Sequence, residues 1–276
     1  NYFGGHGLLD ATPQGRLSGE KHSGMTSDRF ATAGLGGVWA EENTREAIFA
    51  AMQRKETFGT SGVRIKVRLF GGWDFAPAVL QSKDWVKSGY ANGVPMGGDR
   101  PAARSKAPTF IAWAVKDPDD ANLDRIQIVK GWTQNGQIFE KIYNVAWSSR
   151  KLGGQVSDTQ VRNGRVELPP VGNTVDVKNA TYANSIGAVE LKSVWTDPNF
   201  DPSQFAFYYA RVLQIPTPRW TTYDAKKLGV PPPSNVFATV QDRAWTSPIW
   251  YSPSDQARKV AKPGTTVADL RQKGAV

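Results

Sequence analysis

The stretch from Gly36 to Phe70 constrains the fold most, because a helix pattern and a strand pattern follow each other there. Asn43 or Thr44 can cap a helix, and apolar residues at helical spacing predict its buried side. These apolar residues are Ala47, Ile48, Ala51 and Met52. Gly59 is the predicted end of this helix. The sequence therefore predicts one amphipathic helix in this stretch.

The end of the same stretch predicts a half-buried strand. Apolar residues from Val63 to Leu69 alternate with the basic residues Arg64, Lys66 and Arg68. A period of two is typical of a strand with one buried face. Together, the two patterns predict a helix that packs back onto a sheet.

Strand patterns dominate the rest of the chain. Further strands are predicted at 109–116, 124–133, 138–148, 165–168, 174–177, 188–196 and 205–215, with short helices near 77–88 and at 222–228. Asn135 and Gly136, between two of these strands, predict a tight hairpin. Residues 1–35 lack periodicity and are predicted to form a long loop. Antiparallel strands at this spacing favour a sandwich or a curved sheet.

The composition excludes several kinds of site. The 276 residues include no cysteine and only two histidines, His6 and His22. Disulfides, zinc–thiolate sites and cysteine nucleophiles are therefore excluded, and a metal site built by this chain alone would need carboxylates. The net charge is +9, but no helix or strand concentrates it, so we expect no nucleic-acid partner. No apolar run approaches the ~20 residues of a membrane span, so we expect no membrane partner.

The start of the chain and its lack of cysteine bear on its origin. The first residue is Asn1 rather than Met, which favours a piece processed or cut from a longer protein. A chain without cysteine suits the bacterial periplasm or secretion, with the cytoplasm left open as an alternative.

Seven phrases spread over nearly the whole chain resemble the C-terminal half of DUF3604 proteins. They are GVWAEENTREAIFAAMQRKETFGTSGVRI at 37–65, FGGWDF at 70–75, GVPMGGD at 93–99, ANLDRIQIVKGW at 121–132, LPPVGNTVD at 168–176, AFYYARVLQIPTPRWTTYDA at 206–225 and RAWTSPIWY at 243–251. The resemblance implies a metal-dependent hydrolase of the polymerase-and-histidinol-phosphatase (PHP) type, whose domain is a distorted α/β barrel.

The resemblance also implies a domain organisation within an α+β fold. Residues 1–70 would be the closing helix and strand of a PHP-like barrel, with a long active-site loop. Residues 71–251 would form a mostly antiparallel, sandwich-like β-rich domain, and residues 252–276 a surface tail.

The metal-binding motifs of PHP domains, an early His-x-His and a late Asp-x-His, are absent from this chain. The divalent metal ions (Zn, Mn or Fe) would therefore be held by the upstream N-terminal half of the same protein, which is the expected partner. No metal ligand is assigned here, and we expect this chain alone to bind no metal and to be inactive.

The predicted helix would begin at the face where α/β barrels place their active sites. Its N-terminal region contributes the candidate substrate-binding residues Trp39, Glu41, Glu42, Asn43 and Arg45. The free N–H groups, the helix dipole and a guanidinium suit a small-molecule substrate, for which an anion is one candidate. The alternative is that the two glutamates only complement the dipole, while the arginine lies on the surface.

Three further residues are candidates outside this helix. His6, flanked by glycines in FGGHGLL, is the candidate catalytic acid or base, with a solvated bystander as the alternative. Arg219 and Trp220, in IPTPRWTTYDA, follow two prolines that fix the backbone. These two residues either line a substrate pocket or pack on the core.

Two functions follow from these patterns. The first is the C-terminal portion of a hydrolase that cleaves a phosphoester, or a related ester or amide, with metal-activated water; this chain would shape the substrate pocket. The second is a non-catalytic β-domain that binds a carbohydrate or a protein. The second predicts exposed, coplanar Trp or Tyr rings on one sheet face, whereas the first expects buried rings.

Overall fold

Two β-sheets packed face to face form the body of the protein. The computed structural model describes residues 11–19, 21–22, 25–30, 33–101, 106–148, 160–162, 165–168 and 170–253. The large sheet contains β3 (Leu35–Val38), β4 (Thr57–Thr60), β7 (Asp99–Pro101), β9 (Leu123–Gln134), β10 (Gln137–Trp147), β14 (Ala206–Gln214), β17 (Arg243–Thr246) and β18 (Ile249–Ser252). The small sheet contains β5 (Lys66–Gly72), β6 (Gly93–Pro95), β8 (Thr109–Val115) and β13 (Glu190–Thr196).

The strand order shows how the sheets are assembled. The main path of the large sheet runs β10-β9-β14-β17-β4-β3, and β18 pairs with both β14 and β7. The small sheet runs β13-β8-β5-β6. Apart from the parallel β7–β18 pair, the pairings in both sheets are antiparallel within the described residues. The predicted antiparallel, β-rich region is therefore confirmed.

Helices and short elements lie around the two sheets. The helices are α1 (Pro13–Leu17), α2 (Arg45–Gln53), α3 (Trp85–Asn92) and α4 (Trp220–Leu228), with 3-10 turns at Ser27–Arg29 and Pro77–Gln81. Three two-stranded pairs complete the described elements: β1 (Lys21–His22) with β2 (Met25–Thr26), β11 (Gln160–Arg162) with β12 (Arg165–Glu167), and β15 (Thr217–Pro218) with β16 (Thr239–Val240). Among the described residues, no helix is both long and apolar enough to cross a membrane.

The core lies between the two sheets and follows the predicted alternation. Along β14, Ala206, Tyr208, Ala210 and Val212 are buried, while the residues between them are partly exposed. Side chains of β5, including the fully buried Val67, complete the core from the small sheet. Because successive side chains of a strand point to opposite faces, each sheet has an inner face on this core and an outer face.

The predicted hairpin is confirmed. Asn135 and Gly136 connect β9 to β10, and both have positive φ, at 52° and 76°. Two positive φ values are the requirement of the tight turn that matches the twist of an antiparallel pair.

The opening stretch folds in a different order from the prediction. Thr44 caps α2 through a hydrogen bond from the Ala47 N–H at 3.3 Å. The prediction that Gly59 ends the helix is wrong: the chain turns at Lys55, with φ of 58°, and Gly59 lies inside β4. The extra strand β4 joins the large sheet, and only then does β5 enter the small sheet.

Residues 36–70, predicted to close a barrel, contribute to two different sheets. β3 and β4 belong to the large sheet and β5 to the small sheet, and the predicted boundary after residue 70 falls within β5. The described residues form no barrel. The barrel and the division into two domains therefore stay predictions. Most of the predicted tail, residues 254–276, lies outside the described residues.

Candidate functional site

The predicted catalytic residue and metal chemistry lie beyond what the structure describes. His6 falls in residues 1–10, outside the described part of the chain. Within the described residues, no group of three or more His, Asp or Glu side chains could hold a metal ion. The role of His6 therefore stays a prediction.

The first turn of α2 lies on the surface. Glu41, Glu42, Asn43 and Arg45 are all exposed. The Thr44 hydroxyl donates to a Glu42 carboxylate oxygen at 3.2 Å. This local bond makes Glu42 a hydrogen-bond partner of the cap residue Thr44, and the substrate-binding role of these residues stays a prediction. The exposed turn forms no enclosed site with the described residues.

Trp39 lies deeper than this turn and packs against an arginine. Its indole N–H donates to the Val67 carbonyl at 2.9 Å, which fixes the ring beside the small sheet. The guanidinium carbon of Arg68 lies 3.8 Å from the centre of the Trp39 ring. An arginine at this distance over an indole forms a favourable cation–π contact. Among the candidate residues of this region, Trp39 thus packs against the small sheet, and its role in substrate binding stays a prediction.

Arg68 lies on the outer face of the small sheet among several rings. The rings of Phe70 and Tyr90 lie 6.0 and 5.9 Å from its guanidinium carbon. Trp113, opposite Arg68 in the strand register, contacts both Trp39 and Trp85. We call Trp39, Arg68, Phe70, Trp85, Tyr90 and Trp113 the arginine–aromatic cluster.

A buried carboxylate fixes the orientation of the cluster. Arg68 Nη1 donates to the Tyr90 hydroxyl at 3.2 Å, and that hydroxyl donates to Glu56, whose exposed fraction is 2%. Burial, followed by this bond to a carboxylate, raises the pKa of Tyr90 above its ordinary value of 10.0. Tyr90 therefore stays neutral near pH 7, as a hydrogen-bond bridge between Arg68 and Glu56.

The remaining donors of Arg68 give the cluster its chemistry. A guanidinium has five N–H donors in a planar fork, and Tyr90 accepts from one of them. Within the described residues, Arg68 forms no ion pair. A partly buried guanidinium braced on an indole can hold a planar anion such as a carboxylate or a phosphate. The aromatic walls would contact the apolar part of the same ligand.

Arg219 and Trp220 have a different role in the structure. Arg219 donates through Nη1 to the Asp28 carbonyl at 2.8 Å and through Nη2 to the Phe30 carbonyl at 3.0 Å. The Trp220 indole N–H donates to the same Phe30 carbonyl at 2.8 Å. Burial lowers the pKa of Arg219, which still leaves it charged at neutral pH. These bonds attach the Ser27–Arg29 turn to the start of α4.

A second contact strengthens this attachment. Arg16 of α1 forms a two-pronged ion pair with Asp224 of α4, at 2.7 and 2.9 Å. The Asn235 side-chain amide donates to the buried Asp28 at 2.5 Å. Burial alone would raise the pKa of Asp28, but Thr26, Asn235 and the charges of Arg29 and Arg219 outweigh it and lower the pKa below 3.8. The segment before β3 is therefore held by charged groups of α4 and its flanking loops.

The two predicted groups lie apart. The Arg219 attachment holds Phe30, just before β3 begins, whereas Trp39 and the first turn of α2 follow the end of β3. The strand register places the two ends of β3 at opposite ends of β4. The described structure thus does not bring Arg219 and Trp220 together with the residues at 39–45.

The comparison with known proteins assigns the family. Residues 1–253 match the family described as "Protein of unknown function (DUF3604)". The chain belongs to the DUF3604 family. No curated protein and no solved structure matches it. For this DUF3604 chain, the functional argument therefore depends on its own residues.

Sequence patterns missed most of the arginine–aromatic cluster. Arg68 fitted the polar side of an alternating strand, which gave no reason to separate it from Arg64 and Lys66. Glu56 and Tyr90 lie 34 residues apart and meet only in the tertiary structure.

Proposed function

We propose that this DUF3604 chain is the C-terminal portion of a PHP-type metal-dependent hydrolase. The reaction would be the hydrolysis of a phosphoester, or a related ester or amide, by water activated on Zn, Mn or Fe. The upstream half of the protein would supply the metal ligands, and this chain would supply substrate contacts. Secretion or a periplasmic location fits the absence of cysteine, and a cytoplasmic location is the alternative.

The observation that carries this proposal is the Arg68 guanidinium stacked on Trp39. Substrates of such hydrolases carry a negative charge before or after cleavage, so a fixed cation beside the reacting group would contribute binding and orientation. Arg68 is held by the Trp39 ring and by the Tyr90 hydroxyl, which is itself bonded to the buried Glu56. A preorganised side chain loses little conformational entropy when the ligand binds.

The test uses the longer parent protein with its upstream half. Arg68→Met removes the charge and keeps much of the side-chain volume, and Lys66→Met is the matched control on the same strand and face. With phosphomonoester, phosphodiester and carboxylate-ester substrates, Arg68→Met should lower kcat/KM for anionic substrates by about tenfold or more, equivalent to about 1.4 kcal/mol. The control should keep activity near that of the unmodified protein. Equal activity of all three proteins would contradict the proposed role of Arg68.

The metal requirement has its own test. Elemental analysis should find Zn, Mn or Fe in the parent protein and none bound stoichiometrically by residues 1–276 alone. Tight, stoichiometric binding by residues 1–276 alone would contradict the proposal that the upstream half holds the metal.

A second candidate function is a non-catalytic β-domain that binds a carbohydrate or a protein. The observation in its favour is a row of aromatic side chains on the outer face of the large sheet, with Trp250 exposed at 38%. This face supports the binding-domain prediction in part, because that prediction asks for coplanar Trp or Tyr rings and the Trp250 ring is inclined at 48° to the Phe207 ring. The two candidates use opposite outer faces of the sandwich, so variants on one face test one candidate without touching the other.

A further inference from the structure

The outer face of the large sheet carries three neighbouring rings. Phe207 and Tyr209 alternate with the buried residues of β14 and therefore lie on this outer face. Their rings are 6.4 Å apart and nearly parallel, at 11°. Trp250, opposite Phe207 in the strand register, lies 5.2 Å from the Phe207 ring. We call Phe207, Tyr209 and Trp250 the aromatic face.

A glycine lets the rings lie down on the sheet. Gly131 is opposite Phe207 on β9, and a Cβ at position 131 would lie 2.3 Å from the tip of the Phe207 ring. The ring therefore occupies the space that any larger side chain at 131 would fill. Tyr209 is nearly parallel to Phe207, so it leans the same way. Val129, opposite Tyr209 on the same face, is fully buried, as expected if that ring leans across it. Rings inclined in this way turn one flat side away from the sheet.

Polar side chains continue the same face in the next row of the sheet. Arg211, two residues after Tyr209, donates from Nε to the Gln127 side chain at 2.8 Å. Gln127 in turn donates to the Asn144 side chain at 2.9 Å. Within the described residues, the terminal amino groups of Arg211 form no ion pair. Arg211 is therefore held in position with its charged end available to a ligand.

We propose that this face binds a glycan that contains acidic sugars. Pyranose rings have apolar C–H faces that pack on flat aromatic rings, and a rim of hydroxyl groups that needs both donors and acceptors. The aromatic face supplies the first, and Asn144 and Glu140 on β10 supply the second, while the buried Gln127 holds Arg211 and Asn144 in place. The Arg211 fork supplies a partner for a sugar carboxylate.

Charge supports the acidic sugar. The chain carries a net charge of +9, which attracts an anionic polymer. Glu140 is the acidic side chain of this face that lies close enough to raise the pKa of Tyr209, after the larger effect of burial. Glu140 is opposite Gly131 on β10, beside the Phe207–Tyr209 row, whereas Arg211 lies in the following row. A carboxylate paired with Arg211 would thus lie away from Glu140.

The inference rests on the second candidate function and is tested by binding alone. Isothermal titration calorimetry with oligogalacturonides, and with neutral cello-oligosaccharides of the same length, measures both ligand classes on residues 1–276. Trp250→Ala should weaken oligogalacturonide binding by about tenfold or more, because it removes one ring of the platform. Phe237→Ala, at a side chain that is 87% exposed, is the matched control and should bind like the unmodified chain.

Arg211→Gln separates the charge from the platform. This variant should lose about tenfold or more in affinity for oligogalacturonides and keep its affinity for the neutral oligosaccharides. Circular dichroism of each variant checks the fold. The proposal is overturned if neither glycan class binds at millimolar concentration, if Trp250→Ala binds like the control, or if the unmodified chain shows no preference for the acidic glycan. Since no step involves hydrolysis or Arg68, these results are independent of the hydrolase proposal.

Discussion

Replacing Lys130 with methionine should strongly destabilise the sandwich. Lys130 lies on the inner face of β9 in the large sheet, and Asp197 directly follows β13 of the small sheet. The Lys130 ammonium group donates to the Asp197 carboxylate at 2.6 Å and to the Asn199 carbonyl at 2.7 Å. The side chains of Lys130 and Asp197 are 3% and 0% exposed. This ion pair therefore joins the two sheets in a place that excludes water.

The magnitude follows from what Lys130→Met leaves behind. Removing one partner of a buried ion pair typically costs about 3–5 kcal/mol, because the other charge stays buried without compensation. Asp197 would keep two donors, the Tyr208 hydroxyl and the Asn199 N–H, both at 2.8 Å. We therefore expect the low end, about 3 kcal/mol. For a domain of this size, such a loss lowers Tm by roughly 6–12 °C.

Urea denaturation followed by tryptophan fluorescence measures this free energy. Lys141→Met is the matched control, since Lys141 donates to the Asn199 side chain at 2.6 Å from an exposed position, where it should contribute less than about 1 kcal/mol. Adding Asp197→Asn to Lys130→Met removes the unpaired carboxylate charge of Asp197 and should recover about 1 kcal/mol or more of the free energy of unfolding. If Lys130→Met costs no more than Lys141→Met, or if the double variant recovers nothing, the reasoning is refuted.

Two further predictions concern the attachment before β3 and the dependence of stability on pH. Arg219→Lys cannot reproduce two bonds to the Asp28 and Phe30 carbonyls, so hydrogen exchange should accelerate at residues 27–30 but not in β14; unchanged exchange at 27–30 would contradict the attachment. Burial raises the pKa of Asp242, so its charge destabilises the fold at neutral pH and stability is gained as pH falls through that raised pKa. For Asp117, burial would raise the pKa, but hydrogen bonds from Arg64 outweigh burial and lower the pKa below 3.8. The charged Asp117 therefore stabilises the fold above pH 3.8, and this stabilisation is lost as pH falls through the lowered pKa. Urea denaturation at pH 7 and at pH 3 measures the free energy of unfolding of each variant relative to the unmodified chain. This difference should be more favourable at pH 7 than at pH 3 for Asp242→Asn and less favourable at pH 7 than at pH 3 for Asp117→Asn. A change of the same sign for both variants would be inconsistent with these pKa directions.

The strands of the two sheets were largely predictable because each has a local cause. Alternation of apolar and polar residues located β8, β9, β10, β13 and β14 to within two residues. The pair Asn135–Gly136 fixed one hairpin through its backbone preferences alone. The failures had tertiary causes. The short strand β4 has little pattern of its own and exists because β17 and β3 offer hydrogen bonds on both sides.

The candidate sites show the same division more sharply. Trp39 was predicted for its position near a helix N-terminus, yet it belongs to the cluster because its indole reaches the Val67 carbonyl and its ring faces Arg68. Arg219 and Trp220 were predicted as pocket residues or core residues. In the structure they hold the carbonyls of a segment nearly 190 residues earlier in the chain.

By itself, the sequence determined the strand-rich character of the protein, a helix cap at Asn43 or Thr44 and the hairpin at Asn135, because these depend on neighbours within a few residues. The structure selects Thr44 as the cap. Only the tertiary structure decided which polar side chains share a site. Arg68 on β5, Tyr90 on α3 and Glu56 in the turn before β4 meet only in the folded chain, as do Phe207, Gly131 and Trp250 on three strands of the large sheet. The physical reason is that long-range strand pairing sets which outward-facing residues become neighbours, and, apart from tight hairpins such as Asn135–Gly136, residues close in sequence do not encode this pairing.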